Sequence, residues 1–260
     1  MRFLALASGS KGNCAYISTP HSQVLIDCGI SVKRLGNALG EHGVNFRGID
    51  AVFITHTHSD HVSGLGRLLA RLPVRVYCHE LIVDALLAGI TGPNGLRSAG
   101  NLDLVTFSGE AAIQHRDLEV TPVPVSHDCE PTVAFNILAN GKRIGILTDL
   151  GATDDGLGTI FGDCDLLLLE ANHCPRMLEQ GPYPEALKKR IRGSKGHLSN
   201  QQAVEFATGL ARMPGHLLLG HLSAQNNNPS AVRDAFTRVE TGAIPHTVLA
   251  QHNSGPLTEL

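Results

Sequence analysis

Short apolar runs rich in β-branched residues alternate with stretches of helical spacing along most of the chain. Residues 2–7, 15–18 and 24–27 read as strands divided by Gly, Pro and Ser turns, and residues 32–41 as a helix. Residues 51–55 form an apolar run that predicts a buried strand, and Val62, Leu65, Leu68, Leu69 and Leu72 then recur at helical spacing. A strand at 74–78 and a helix at 81–88 follow. The second half repeats the style, with strands at 118–125, 133–138, 143–148, 166–170, 216–219 and 247–250 and helices at 200–211 and 230–239. Two strand-rich halves, each closing with helices, predict an α/β fold of sheets packed together beneath outer helices.

The polar residues at the strand ends change this from a fold to a function. His56, His58, Asp60 and His61 lie in the turn between the strand at 51–55 and the helix that follows, and imidazole and carboxylate are favoured donors for zinc and similar ions. Residues two apart in such a turn point into one crevice, while Asp60 and His61 at the helix entrance face a second ion, so two cations are expected. Read as an ordinary polar loop, the run needs no metal, but three histidines and an aspartate within six positions weigh against that. His127, Asp149 and His221 each follow an apolar strand, and strand ends converge on one rim of a sheet. Any one of them alone reads equally well as a turn or cap.

Composition adds limits. A chain of 260 residues with 42% hydrophobic content can bury a large core, and neither repeat nor linker is visible, so residues 1–260 are expected to form a single domain. The apolar start lacks a basic leader and cleavage site, and no run approaches the roughly 20 apolar residues of a membrane span, which predicts a cytoplasmic, non-membrane protein. Its six cysteines show no paired spacing and are assigned no role. A net charge of −3 gives no global sign of nucleic-acid binding. The segment Lys188-Lys189-Arg190-Ile191-Arg192-Gly193-Ser194-Lys195 is the one strongly basic run; it reads equally as a guide for a phosphate backbone, with Lys195 at its end, or as a solvated helix end. Ser199 and Gln202 fit a capping box just after His197, and Asn228 with Pro229 fits a second helix entrance. The loop from Ser8 to Asn13 offers amides, with Ser10 and Asn13 as candidate phosphate contacts or as wall of the metal site. His79, His173 and His252 are expected to be packed or hydrogen-bonded histidines.

The ordered set His56-x-His58-x-Asp60-His61, His127, Asp149, His221, with Asp27 in Leu25-Ile26-Asp27-Cys28-Gly29, resembles the metallo-β-lactamase superfamily over nearly the whole chain. The resemblance implies a four-layer αβ/βα sandwich with two metal ions at the sheet edges. His56, His58 and His127 would hold one ion and Asp60, His61 and His221 the other, with Asp149 bridging and Asp27 supporting the metal loop. A narrower set of motifs is similar to the YycJ (WalJ) group of exonucleases: residues 7–13, 126–131, Leu169-Glu170-Ala171-Asn172-His173, Gly196-His197-Leu198-Ser199-Asn200, and the run from His221 to Asn227. In related tRNA-processing enzymes a pair like Glu170 and His197 supplies a general acid.

The resulting expectation is a dinuclear, zinc- or manganese-dependent phosphodiesterase. A metal-bridging hydroxide oriented by Asp60 would attack phosphorus, DNA ends would be the favoured substrate, and Ser10, Asn13, Lys195, Asn200 and Asn226 would contact it. A small-molecule phosphodiesterase or a lactonase or thioesterase is the alternative enzyme, and a metal-binding regulatory protein without catalysis the third reading. The short interval between Asp149 and His221 leaves little room for the extra domain of large nuclease relatives. Oligomeric state is not legible.

Overall fold

A computed structural model describes residues 1–91, 102–129, 131–239, 244–251 and 253–260. The first sheet is built from β1 (Arg2–Ala7), β2 (Cys14–Ser18), β3 (Gln23–Ile26), β4 (Ala51–Phe53), β5 (Arg75–His79) and β6 (Leu104–Phe107). The second contains β7 (Ile113–His115), β8 (Leu118–Val125), β9 (Thr132–Ala139), β10 (Lys142–Leu147), β11 (Leu166–Glu170), β12 (His216–Gly220) and β13 (Thr247–Val248). A last strand, β14 (Thr258–Glu259), returns to the edge of the first sheet beside β1.

Alternation along the strands produces the layers. Phe3 and Ala5 of β1, Phe53 of β4, Phe135 of β9 and Leu166 and Leu168 of β11 fill the space between the sheets. Their neighbours Leu4 and Leu6 face outward onto α1 (Val32–Glu41), α3 (Leu65–Leu69) and α4 (Val83–Ile90). On the far side, Leu167 and Leu169 pack on α5 (Asp155–Phe161), α8 (Asn200–Gly209) and α9 (Pro229–Thr237). Three separate cores therefore lie between four layers, giving an αβ/βα sandwich. Among the described residues no helix is long and apolar enough to cross a membrane.

Both sheets follow one pairing order, three antiparallel pairs followed by three parallel ones. The sequence shows no repeat because the repetition lies in topology. Its one trace is Leu25-Ile26-Asp27-Cys28-Gly29 after β3 and Leu147-Thr148-Asp149-Leu150-Gly151 after β10, whose aspartates share φ near +60°.

Residues 62–72, expected as one helix, are interrupted. The run begins with α2 (Ser59–Val62), and Gly64 then separates it from α3. The hydrogen bond that would join Gly64 N to the Asp60 carbonyl is replaced by two others: Asn13 N donates to Asp60 O at 2.7 Å, and Gly64 N donates to Cys28 O at 2.8 Å. Two elements the sequence did not predict complete the layer near the site, α6 (Pro175–Gln180) and α7 (Glu185–Arg192).

Candidate metal centre

The ends of β3, β4, β8, β10, β11 and β12 meet on one rim, where parallel strands of α/β sheets place ligand sites. The loop carrying His56, His58, Asp60 and His61 is fixed there by backbone contacts. Cys28 N donates to His61 O at 2.8 Å, and Gly29 fits against the Asp60 carbonyl so closely that a Cβ would stand 1.6 Å from it.

Buried partners fix which nitrogen each histidine presents. Asp27, with φ of +59°, accepts from Thr55 N at 2.9 Å, Thr55 Oγ1 at 2.8 Å and His61 Nδ1 at 2.7 Å. Having donated to Asp27, the Thr55 hydroxyl accepts from His56 Nδ1 at 2.9 Å. His127 Nδ1 donates to Gly196 O at 3.1 Å, and His221 Nδ1 to Glu170 Oε1 at 2.7 Å. Each ring thus turns its Nε2 toward the crevice, the arrangement by which outer partners orient histidine ligands.

Ligand atoms of His56, His58 and His127 lie within 4.8 Å of one another, as do those of Asp60, His61 and His221, and those of His56, His61 and Asp149. Asp149 lies between the two histidine groups: one carboxylate oxygen is 3.4 Å from His221 Nε2 and 3.8 Å from His127 Nε2, the other 3.3 Å from His61 Nε2. His56 Nε2, His127 Nε2, His221 Nε2 and Asp149 Oδ2 are buried without a hydrogen-bond partner. Each such atom costs about 1–3 kcal/mol if left alone. Divalent cations among these donors satisfy all four at once, so the residues fit a metal centre.

Charge divides the cluster. Burial, reinforced by His61, holds His56 well below its ordinary pKa, and burial also lowers His127. Burial acts the same way on His61, but the Asp149 and Asp27 carboxylates overcome it and raise this histidine to about 10. At His221, Asp149, Asp60 and Glu170 likewise outweigh burial and raise it well above the usual value. Asp149 is fully buried, yet His221 and His61 keep it well below the carboxylate range.

Glu170 joins this cluster to His197. Its Oε1 accepts from both His221 Nδ1 and His197 Nδ1, the latter at 2.8 Å, and its Oε2 accepts from Leu150 N at 3.1 Å and Leu198 N at 3.3 Å. Burial alone would raise Glu170, but His197 and His221 pull it to about 2. In return Glu170 outweighs burial and raises His197, whose ring is partly open to solvent.

The other sequence candidates are distributed unevenly. Ser10 is exposed and lines a cleft beside His197. Asn13 belongs to the wall of the cluster: its Nδ2 lies 3.2 Å from Asp60 Oδ2 and 2.9 Å from His61 Nε2. Asn200 is held at 3.1 and 2.8 Å by reciprocal amide bonds with Asn227, and Asn226 is completely buried, so both lie beneath the surface of the rim. Lys195 is exposed in the loop before His197, but the basic run around it is largely neutralised. Lys188 pairs with Glu185 at 3.0 Å, Arg190 with Asp128, and Arg192 with Glu179 at 2.5 Å. The capping box at Ser199 and the Asn228 cap are present as expected. His79 caps a turn through Leu81 N at 3.2 Å, and His173 is buried; His252 lies outside the described residues.

Sequence reasoning missed three groups around the site. Thr55 fixes two rings, and Ser8 accepts from His221 N at 2.8 Å. Asp128 lies 3.4 Å from His127 Nε2 and 3.7 Å from His58 Nε2 while pairing with Arg190. Of these Ser8 and Asp128 fell within quoted motifs, while Thr55 carried no signal.

A family profile described as "Beta-lactamase superfamily domain" matches residues 22–222. The chain is 31% identical to exodeoxyribonuclease YycJ of Bacillus anthracis over 92% of its own length and 89% of that protein. It is 32% identical to exodeoxyribonuclease WalJ of Streptococcus pneumoniae over 87% of its own length and 83% of that protein. The crystal structure of the metallo-β-lactamase fold protein YhfI from Bacillus subtilis superposes over 100% of both chains with a TM-score of 0.72 at 18% identity. Fold and site together define a metal-dependent hydrolase, and the chain belongs to the metallo-β-lactamase superfamily. Within that superfamily it is of the YycJ/WalJ type.

Proposed function

We propose that this hydrolase is a two-cation exonuclease that cleaves phosphodiester bonds at DNA ends. The observation that carries the reading is the Glu170–His197 pair beside the metal ligands. An alkoxide leaving group needs a proton, whereas a thiolate departs without one at neutral pH. Two relatives named exodeoxyribonuclease support DNA as the polymer.

His56, His58 and His127 would hold one cation and Asp60, His61 and His221 the other, with Asp149 serving both. When bound, zinc or manganese ions would make water acidic enough to ionise near neutral pH and neutralise charge on phosphoryl oxygens. Asp60 orients the attacking water. Because His197 Nδ1 is committed to Glu170, its Nε2 is the atom that hands a proton to the departing oxygen.

The test is an assay of zinc- and manganese-loaded protein on end-labelled single- and double-stranded DNA and RNA, a small phosphodiester and a thioester. Stepwise release of mononucleotides from DNA is expected, and Asp60→Ala or Asp149→Ala should abolish it. Rapid thioester turnover without phosphodiester cleavage, or full activity after the metal is stripped, would overturn the reading.

A further inference from the structure

We propose that the cleft beside His197 is a nucleobase pocket in which Tyr183 stacks on the terminal base of the substrate; this rests on the phosphodiester reading above. Tyr183 lies in the turn between α6 and α7, and Tyr183, Leu187 and Ile191 follow one another at intervals of four residues. In α7 that spacing puts Leu187 and Ile191 on one face, while Lys188 and Arg192 pair elsewhere with Glu185 and Glu179. These three side chains form one wall of a cavity of about 170 Å³, whose other lining includes His197, Ser10, Ser223 and the Asp128–Arg190 ion pair. This is smaller than the several hundred Å³ of sites for drug-sized ligands and suits one flat heterocycle.

The aromatic content of the chain sharpens the choice of occupant. Tyr16 and Tyr77 are buried, so Tyr183 is the one tyrosine that reaches solvent. Phe46 is the one phenylalanine with comparable exposure, and it packs against the outer helices of the first sheet. Tyr183 has no ring contact or hydrogen bond among the described residues. An open ring in an apolar wall, with the His197 imidazole on the same cleft, is the arrangement that holds a base by its π-face without reading its sequence. Ser10, Ser223, Asn172 and the Asp128–Arg190 pair leave polar groups for the base edge.

The experiment compares oligodeoxynucleotides ending in a normal nucleotide with otherwise identical ones ending in an abasic residue, using metal-loaded protein. Stacking predicts that the base-bearing end has a KM lower by roughly tenfold and that Tyr183→Ala removes this difference, with kcat changed less than about threefold. Tyr183→Phe should keep it, and an unchanged melting temperature of Tyr183→Ala separates the effect from misfolding. Equal KM for the two ends in the unmodified protein would overturn the pocket while leaving the exonuclease intact. Binding of dAMP against deoxyribose 5-phosphate supplies a readout that does not depend on DNA turnover. If DNA is not cleaved but dAMP binds more tightly and Tyr183→Ala cancels the preference, the exonuclease reading falls and the pocket stands. If the two ligands bind alike in both proteins, the pocket falls.

Discussion

At the scale of residues, the centre is a set of lone pairs aimed by neighbours. His197 illustrates the gain: it is the one histidine of the cluster held only by Glu170 and partly open to solvent. His197→Ala should lower turnover of DNA by about 10²–10⁴-fold, with a much smaller loss on a p-nitrophenyl phosphodiester, whose leaving group needs no proton. Comparing the two substrates checks it. The pH profile checks Glu170. A general acid works below its pKa, so activity should fall as pH rises through that of His197; Glu170 raises this value, and Glu170→Gln should therefore move the alkaline limb to lower pH. The seven donors were legible because their type, order and place at strand ends are written in the sequence. Thr55 and Ser8 were not, since a hydroxyl that braces a ring looks like any other hydroxyl until the ring is placed. The burial of Asn200 and Asn226 was hidden for the converse reason: a motif locates a residue near a site but does not say how deeply its side chain is packed.

Elements explain how those residues are brought together at short range. Asp27, Asp149 and His221 all adopt positive φ where their strands end, a conformation disfavoured for side chains other than glycine. The rim therefore stores backbone strain in the residues that form it. Glycines relieve crowding beside them, and Gly29→Ala or Gly64→Ala should be severe, because the added Cβ would lie 1.6 Å from Asp60 O or 1.9 Å from Ile30 O. Loss of metal binding together with a lower melting temperature is expected for both, whereas Gly36→Ala on α1, where nothing lies within 4 Å, should raise stability by up to about 1 kcal/mol. Most strands and α1, α8 and α9 were visible as apolar patterns. Helix α7 was not, because Lys188 is its one buried residue and ion pairs hold much of its outer surface. The break at Gly64 was equally hidden, since the bonds that cause it come from residues 13 and 28.

The whole molecule contributes the meeting of two sheets of like topology. His56, His58, Asp60 and His61 come from the first, and His127, Asp149 and His221 from the second. The two histidine groups beside Asp149 differ in protonation, which gives metal uptake a pH signature. Burial leaves His56 and His127 neutral, whereas His61 and His221 are held protonated by carboxylates and must shed a proton to bind a cation. Calorimetric titration in buffers of different ionisation enthalpy should show proton release, and affinity at the Asp60–His61–His221 group should weaken as pH falls from 8 to 6. Alternation predicted sheets packed beneath outer helices, and the family resemblance implied the four layers; the shared pairing order was not predictable, because strand pairing leaves almost no imprint on side chains.

That joint ownership of the donors would make each cation of the proposed centre a fastener between halves. A ligand at a hundred times its dissociation constant adds about 2.7 kcal/mol to the folded state, worth several degrees in melting temperature at this size. Chelation should therefore speed limited proteolysis as well as stop hydrolysis, which a time course on electrophoretic gels would measure. Metal scarcity would then act on how long the protein survives and not on its turnover alone.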